Sequence, residues 1–435
     1  MRDGDTIVAL SSGALPAGVA VVRLSGPKAG QLLAELAGAL PRPRRLTLAD
    51  IADRGEVLDR GLVAWFPAPH SFTGEDCAEL QVHGSRAVVR SLLRSLSSRE
   101  DVRLAEAGEF TRRAFENGRL DLTEVEGLGD LVEAETENQR RQAIARADGG
   151  LSKKIAVWRA TLLDVRAEIE ARLDFSDEGD VDDALPPSLT QAVARLRADM
   201  AEANASFERG RIVRDGLRVA IAGPANAGKS SLLNALVKSD VAIVSDEPGT
   251  TRDVREVALD LGGHLVILVD MAGLRETTSK AEAEGVRRAL AEIARADLVL
   301  WLVAPDVPEG ERPATEAAPV WEINSKADLR TQAHVAGEAI SSTTGAGLPE
   351  LLGRVEAFAA EQAGAGEPAM LSHERDRAAI EAALAALGDF GSELGQLELA
   401  ADSLRRASDA LARLTGEIDA EMVLDRLFAA FCIGK

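Results

Sequence analysis

The stretch that decides the fold runs from residue 223 to residue 230 and reads GPANAGKS. It matches the phosphate-binding pattern G-x-x-x-x-G-K-[ST]. An apolar run, LRVAIA at 217–222, precedes it, and a helical pattern, SLLNAL at 231–236, follows it. This strand–loop–helix context matters because backbone N–H groups and a helix N-terminus then surround the phosphates. The sequence predicts a nucleotide-binding loop in which Lys229 reaches the β- and γ-phosphates and Ser230 ligates Mg²⁺.

Composition narrows the class of protein. The chain has 435 residues, enough for about three domains. Its net charge of −21 makes it strongly acidic. Such a chain does not hold nucleic acid on a broad basic face, so an RNA substrate would need a local patch or another subunit. Two cysteines, Cys77 and Cys432, exclude a disulfide framework and favour a reducing compartment. With no signal peptide and no long apolar run, we expect a soluble cytoplasmic protein without membrane contact.

The first 118 residues predict a small α+β domain. Short apolar runs bounded by turn residues predict strands at Val19–Leu24, Gly61–Phe66 and Ala78–His83, and the pattern at Arg86–Ser97 predicts a helix.

The remaining chain changes character twice. Residues 119–214 carry apolar side chains at helical spacing, residues 215–366 alternate strands with helices as in a doubly wound α/β sheet, and residues 367–435 are helical again. The strands of the α/β segment are predicted at Leu217–Ala222, Leu265–Val269, Leu298–Val303 and Val320–Asn324. The simplest layout inserts the α/β domain into one helical domain, and two independent helical segments are the alternative.

Two further segments complete a phosphate and magnesium site. Asp270-Met-Ala-Gly273 follows a strand, which places the carboxylate near the magnesium water shell and the Gly273 N–H on the γ-phosphate. Residues 249–253, GTTRD, lie between the two motifs, and Thr251 is the predicted second magnesium ligand. After Gly273 stands Leu274, where many GTPases have the glutamine that orients water. Hydrolysis is therefore slow, or an acid positions the water; the candidates are Glu276, Glu282 and Glu284.

Residues 325–328, SKAD, predict the base. The carboxylate of Asp328 accepts from guanine N1–H and the exocyclic amine, a pair that adenine lacks. Ser325 stands where GTPases usually have asparagine, so we expect guanine selectivity to persist through Asp328 with weaker affinity. Ser341, Ser342 and Thr343 are expected under the base, with an ordinary turn as the alternative.

Segments outside the α/β domain point to a family. SFTGEDCAELQVHG at 71–84, GEFTRRAFENGRLDLTEVEGLGDLVEA at 108–134 and FCIGK at 431–435 resemble the tRNA modification GTPases of the MnmE (TrmE) family over essentially the full length. The resemblance implies a multidomain α/β and α fold. It consists of an N-terminal α+β tetrahydrofolate-binding-like domain, a central helical domain and an inserted Ras-like P-loop GTPase domain with a doubly wound sheet.

The resemblance also implies an activity. It implies a K⁺-activated GTP hydrolase that forms a homodimer through its N-terminal domains and a heterotetramer with the FAD- and NADH-dependent MnmG (GidA) subunit. Together they add a (carboxymethyl)aminomethyl group at C5 of the wobble uridine of certain tRNAs, with 5-formyl- or methylene-tetrahydrofolate as carbon source. Two alternatives stay open: a ribosome-assembly GTPase that acts as an RNA-binding switch, and a GTP-dependent scaffold that does not hydrolyse.

Family roles transfer to matching positions. The implied folate contacts are Arg23, Glu79, Arg119 and Lys435, and the implied K⁺ ligands are Asn226, Ser245, Glu247 and Thr250. The catalytic candidates are Lys229, Arg252, Glu282 and Cys432; for Cys432, packing near a helix end or a role at a partner subunit are alternatives to a nucleophile. Arg112, Arg113 and Arg119 form a basic patch or an ordinary solvated helix face. The expected nucleotide contacts are Asn226, Ala227, Gly228, Lys229, Ser230, Ser231, Ser245, Asp246, Glu247, Pro248, Gly249, Thr250, Asp270, Met271, Ala272, Gly273, Ser325, Lys326, Ala327, Asp328, Ser341, Ser342 and Thr343.

Overall fold

A computed structural model describes the chain except residues 1–3, 175–184, 244–255, 272–290, 309, 311, 313–314, 316–317, 330–337, 419–423, 425–426, 430, 432 and 435. The chain divides into two compact units. One comprises Met1–Gly129, Ser152–Arg159 and Arg405–Lys435, and the other comprises Asp130–Leu151 and Ala160–Leu404. Among the described residues, no helix is both long and apolar enough to span a bilayer.

The first unit is built on a six-stranded sheet in the order β3-β4-β5-β2-β1-β6. Its pairs are antiparallel except β1 with β6, which run parallel. All three predicted N-terminal strands and the predicted helix are confirmed. The elements are β1 (Thr6–Leu10), β2 (Ala17–Ser25), α1 (Ala29–Ala37), β3 (Thr47–Asp53), β4 (Glu56–Phe66), β5 (Cys77–Gly84), α2 (Arg86–Ser97), β6 (Val102–Leu104), α3 (Glu109–Glu116) and α4 (Leu122–Glu133).

Strand alternation gives this sheet two apolar faces. Val8 packs into the core that contains Leu33 of α1 and Leu92 of α2, whereas its neighbour Ile7 packs with Phe110 of α3 in a separate cluster. Successive side chains of a strand point to opposite faces, which explains the division. The face of Phe110 is the one that carries the candidate folate residues Arg23 and Glu79.

The second unit contains the α/β sheet, in the order β12-β11-β10-β7-β9-β8. Its pairs are parallel except β8 with β9. The four strands predicted here are confirmed within one residue at each end. The remaining elements of the chain are α5 (Glu137–Ala147), α6 (Gly150–Asp174), α7 (Pro187–Ala205), α8 (Phe207–Asp215), β7 (Leu217–Ala222), α9 (Lys229–Val237), β8 (Glu256–Leu261), β9 (His264–Asp270), β10 (Leu298–Val303), β11 (Val320–Asn324), β12 (Glu338–Ala339), α10 (Leu348–Ala363), α11 (Glu374–Ser392) and α12 (Leu397–Thr415).

Helices from both sides of the sheet segment meet in this unit. Arg146 of α5 forms an ion pair of 2.7 Å with Asp376 of α11. Gln142 Nε2 donates to the carbonyls of Gly210 in α8 and Ala369 before α11. These contacts join chain that precedes the sheet to chain that follows it, which supports the proposal of an inserted α/β domain.

The topology collects the nucleotide motifs at one edge. Strands β7, β9, β10 and β11 are parallel, so their carboxyl ends lie together. In such sheets ligands bind outside those ends. The phosphate loop follows β7, Asp270 ends β9, and Ser325 follows β11.

Candidate functional sites

The phosphate loop takes a conformation that its residue types permit. Gly223 and Gly228 have φ of 144° and 96°, and Asn226 lies in the left-handed region at 65°. A Cβ at Gly223 would lie 2.7 Å from the Leu302 carbonyl oxygen, so the close approach of loop and β10 requires glycine there. Lys229 is 7% exposed, and its Nζ donates to the carbonyls of Gly223 and Pro224 at 2.9 and 2.8 Å. The loop therefore holds a buried cation at its mouth.

Ser230 and Asp270 form the predicted hard-oxygen pair. Ser230 Oγ donates to Asp270 Oδ2 over 2.6 Å, and Asp270 is 6% exposed at the end of β9. Hydroxyl and carboxylate oxygens are donors that Mg²⁺ prefers, so these residues fit the ion. Met271, the next residue, instead packs in an apolar cluster with Ala222 and Trp301.

The base-recognition segment is held in place by buried hydroxyls. Ser341 Oγ donates to Asp328 Oδ1 over 2.6 Å and accepts from the N–H groups of Thr343 and Thr344. This network orients the carboxylate that is expected to read guanine. Asp328 lies on a short 3-10 helix, Ala327–Leu329, whose first N–H donates to the Ile340 carbonyl.

The other two polar side chains of the SKAD motif, those of Ser325 and Lys326, are also engaged. Lys326 pairs with Asp306 at 2.6 Å, a partner 20 residues away that the motif does not reveal. Ser325, 3% exposed, donates from Oγ to the carbonyl of Ala227 in the phosphate loop. Ser231 is exposed on α9, Ser342 is half-buried, and Asn226 is exposed, which leaves its amide accessible.

Several predicted residues lie outside the described part of the chain, and the structure places none of them. They are Ser245, Asp246, Glu247, Pro248, Gly249, Thr250, Thr251, Arg252, Ala272, Gly273, Glu282, Cys432 and Lys435, together with Leu274, Glu276 and Glu284.

The candidate folate residues Arg23 and Glu79 face each other across β2 and β5. They are direct register partners, and Arg23 Nε and Nη2 donate to Glu79 Oε1 at 3.0 and 2.9 Å. The guanidinium lies 5.5 Å from the ring centroid of Phe72 and 5.8 Å from that of Phe110. Both side chains of the ion pair remain about one-quarter to one-fifth exposed. A charged pair beside two aromatic rings suits a ligand with a flat ring and polar edges.

The C-terminal segment reaches the same domain. Ser11 Oγ donates to the Gly434 carbonyl at 2.8 Å, and Ile433 forms a β-bridge with Ala107. A Cβ at Gly434 would lie 2.2 Å from the Leu10 carbonyl oxygen, and its φ is 99°. Because Leu10 is on β1, beside the strand of Arg23, the segment that precedes Lys435 is anchored one strand away from the candidate folate pair.

Neither interpretation of the arginines at 112–119 holds for Arg113. Arg119 is exposed, but Arg113 is 7% exposed and is bonded to Asp5, Glu75 and Glu109. Burial opposes its charge, yet the surrounding carboxylates raise the pKa of Arg113. This residue is therefore neither part of a surface patch nor solvated. The signal missed in the sequence is the acidic residues that surround it, which lie far apart in the chain.

Comparison with known proteins covers the whole chain. A family model described as the N-terminus of the GTP-binding protein TrmE matches residues 6–119. A second model, described as the MnmE helical domain, matches residues 122–432. A protein of Methylobacterium radiotolerans and one of Rhizobium meliloti, both named tRNA modification GTPase MnmE, are each 49% identical over 100% of both chains. Among solved structures, the G domain of the T. maritima FeoB iron transporter is 25% identical over 34% of this chain and 99% of its own, with a TM-score of 0.24.

Proposed function

The chain belongs to the MnmE family of tRNA modification GTPases, and from that premise we propose a K⁺-activated hydrolase that acts with an FAD-dependent partner subunit. The pair adds a (carboxymethyl)aminomethyl group at C5 of the wobble uridine of certain tRNAs, using a tetrahydrofolate one-carbon unit. Family membership makes the chain a GTP hydrolase of tRNA modification, which favours this proposal over a ribosome-assembly switch. The homodimer and the heterotetramer with an MnmG-type subunit are part of the proposal.

One observation carries the nucleotide half of the proposal. Lys229, the Ser230–Asp270 pair and the Ser341–Asp328 pair come from four separate chain segments and meet at the carboxyl edge of one parallel sheet. In the complex, Lys229 exchanges its loop carbonyls for phosphate oxygens, and Asp328 accepts from the guanine edge. Mg²⁺ held by Ser230, with Thr251 as the other proposed ligand, supplies positive charge to the β- and γ-phosphates.

The proposed monovalent ion site begins at Asn226. Asn226 has a left-handed backbone, with φ of 65°, and is exposed. A K⁺ ion held there, with Ser245, Glu247 and Thr250, adds charge where an arginine finger acts in other GTPases. Glu282 is the acid proposed to orient the attacking water in place of the missing glutamine.

GTP turnover in K⁺ and in Na⁺ of equal concentration tests this half. We expect strong stimulation by K⁺ that disappears in Asn226→Ala. Asn234→Ala is the matched control, since it removes the same amide from an exposed site on α9. Equal, near-zero rates in both salts, with and without the partner subunit, would refute K⁺ activation and leave a GTP-binding scaffold.

The folate half of the proposal rests on the Arg23–Glu79 pair and on the anchored C-terminus. The guanidinium and the carboxylate offer complementary charges to a pterin ring and its glutamate tail, and the two phenylalanines offer apolar contact. Arg119 and Lys435 are the further cations that the family assigns to this ligand.

Calorimetric titration with 5-formyl-tetrahydrofolate tests it. Arg23→Ala and Glu79→Ala should each weaken binding by about tenfold or more, because charged hydrogen bonds contribute about 1.5–3 kcal/mol. Arg90→Ala, an exposed arginine of α2, serves as the control. Unchanged affinity in both variants would show that the ligand does not bind at this face of the sheet, and this conclusion would not depend on the GTPase result.

A further inference from the structure

Ser325 joins three segments of the nucleotide site. It follows β11, and its N–H donates to the Val303 carbonyl at the end of β10 over 2.8 Å. Its Oγ lies 2.6 Å from the Ala227 carbonyl oxygen and 3.2 Å from that of Val303. Ala227 is buried in the phosphate loop and 98 residues distant in sequence. The hydroxyl therefore ties the phosphate loop to the segment that carries Asp328.

The number of protons on this side chain limits what else it can do. A serine hydroxyl has one proton, and both of its close oxygen neighbours are carbonyls, which only accept. The shorter contact, to Ala227, takes that proton. An asparagine at the same position would bring two N–H donors, so it could hold the loop and still donate to the base.

Guanine offers two recognition edges. Its N1–H and exocyclic amine donate, and these face the carboxylate of Asp328, which Ser341 holds over 2.6 Å. Its other edge carries O6 and N7, which only accept. A donor is required to read N7, and the single donor of Ser325 is engaged by the phosphate loop.

Resting on the proposed recognition of guanine by Asp328, we propose that Ser325 is a positioning residue that couples the phosphate loop to the SKAD segment through the Ala227 carbonyl and does not itself read N7 of guanine. Guanine selectivity in this chain then depends on Asp328. The hydrogen bond of 2.6 Å from Ser325 Oγ to the Ala227 carbonyl carries this coupling, because the hydroxyl and the carbonyl are both buried where the two segments meet.

Three substitutions separate the two roles. Ser325→Ala removes the donor, so the loop loses its connection and both GTP and GDP should bind about tenfold more weakly. Ser325→Thr keeps a hydroxyl and should restore the affinity. Ser325→Asn brings the second donor and should tighten GTP binding. Ser206→Ala, which removes a serine-to-carbonyl bond at the α7–α8 junction, is the matched control and should bind like the unsubstituted chain.

The decisive probe is 7-deaza-GTP, in which a C–H replaces N7. Equilibrium binding to the full-length chain should give dissociation constants for GTP and 7-deaza-GTP within about twofold of each other. Ser325→Asn should prefer GTP by about tenfold, the contribution of one hydrogen bond. A preference of more than about fivefold for GTP over 7-deaza-GTP in the unsubstituted chain would overturn the proposal that Ser325 does not read N7. Unaltered GTP affinity in Ser325→Ala would overturn the coupling.

Discussion

Replacing Asp376 by asparagine removes one charge from the ion pair that joins α5 to α11. Both side chains are fully buried, and Arg146 Nη1 lies 2.7 Å from Asp376 Oδ2. Asp376 stands three residues after His373, at the start of α11, and the same oxygen accepts weakly from the backbone N–H of His373. Asparagine has the same shape, so the substitution tests the charge and leaves the packing intact.

The magnitude follows from what remains after the substitution. Arg146 Nη1 donates both to the Asp376 carboxylate and to the Met370 carbonyl. After the substitution the guanidinium stays protonated and buried and keeps the bond to the carbonyl. Removing one member of a buried ion pair costs about 3–5 kcal/mol, and Asp130, whose pKa Arg146 lowers, remains as an acidic neighbour of the arginine. The double variant Arg146→Met with Asp376→Leu removes both charges and should recover most of that loss, since apolar pairs of similar volume are often neutral replacements.

Hydrogen exchange of α5 and α11 measures the effect locally, which suits a chain of two units whose global unfolding is not two-state. A loss of 3–5 kcal/mol in the free energy of local opening makes amide exchange in these helices about 10²–10⁴-fold faster. An acceleration below tenfold in Asp376→Asn, or no recovery in the double variant, would refute the reasoning.

The same pair predicts a pH dependence. Burial raises the pKa of Asp376, but Arg146 outweighs it and the net pKa lies below the ordinary value of 3.8. A carboxyl with a depressed pKa stabilises the folded state above its unfolded pKa, and this contribution is lost as the pH falls through the folded pKa. Protection of α5 and α11 should therefore decline below about pH 4, and more steeply in the unsubstituted chain than in Asp376→Asn, which keeps Asp130, a second carboxyl with a lowered pKa.

Three further predictions concern the two sites. Asp328→Asn should lower GTP affinity by about 100-fold and create binding of xanthosine triphosphate, in which a carbonyl replaces the exocyclic amine of guanine. An equal loss of affinity for both nucleotides would contradict the role assigned to Asp328. Ser230→Ala should raise the Mg²⁺ concentration for half-maximal GTPase activity by about tenfold or more, and an unchanged requirement would place the ion elsewhere. Gly434→Ala places a Cβ 2.2 Å from the Leu10 carbonyl oxygen, so the C-terminus should detach. Binding of 5-formyl-tetrahydrofolate should then fall about tenfold while GTP affinity is retained; unaltered folate binding would separate the C-terminus from that site.

The fold could be predicted where burial leaves a pattern in the sequence. Strands β7 and β10 are largely apolar, with five of six residues buried in each, because helices cover a parallel sheet on both faces, and both are predicted correctly. Strand β3 is different, since it lies at an edge and only Ile51 of its seven residues is buried. Nothing in its composition distinguishes it from a loop. Strand β8 does alternate, with three of its six residues buried, so its sequence does indicate a strand.

The contacts of the candidate sites also fall into those that the sequence can predict and those that it cannot. Contacts within a motif, such as Lys229 with Gly223, follow from local spacing. Contacts between motifs depend on how distant segments meet. The bond from Ser325 to Ala227 and the enclosure of Arg113 by Asp5, Glu75 and Glu109 are of this kind. The Arg23–Glu79 pairing depends on strand register, and only the family resemblance indicated those two residues.

The engaged arginines bear on how this acidic chain handles tRNA. Arg103, Arg113 and Arg146 carry positive charge, but each is paired with carboxylates inside the fold. Affinity for RNA depends on cations that displace counterions from phosphates, and its salt dependence counts them. The net charge of −21 opposes RNA binding over a broad surface, and these three arginines do not offset it because carboxylates already engage them. Most phosphate contacts to tRNA are therefore expected from a local patch of exposed arginines or from the proposed partner subunit, and the salt dependence of tRNA binding by this chain alone and by the pair would distinguish the two.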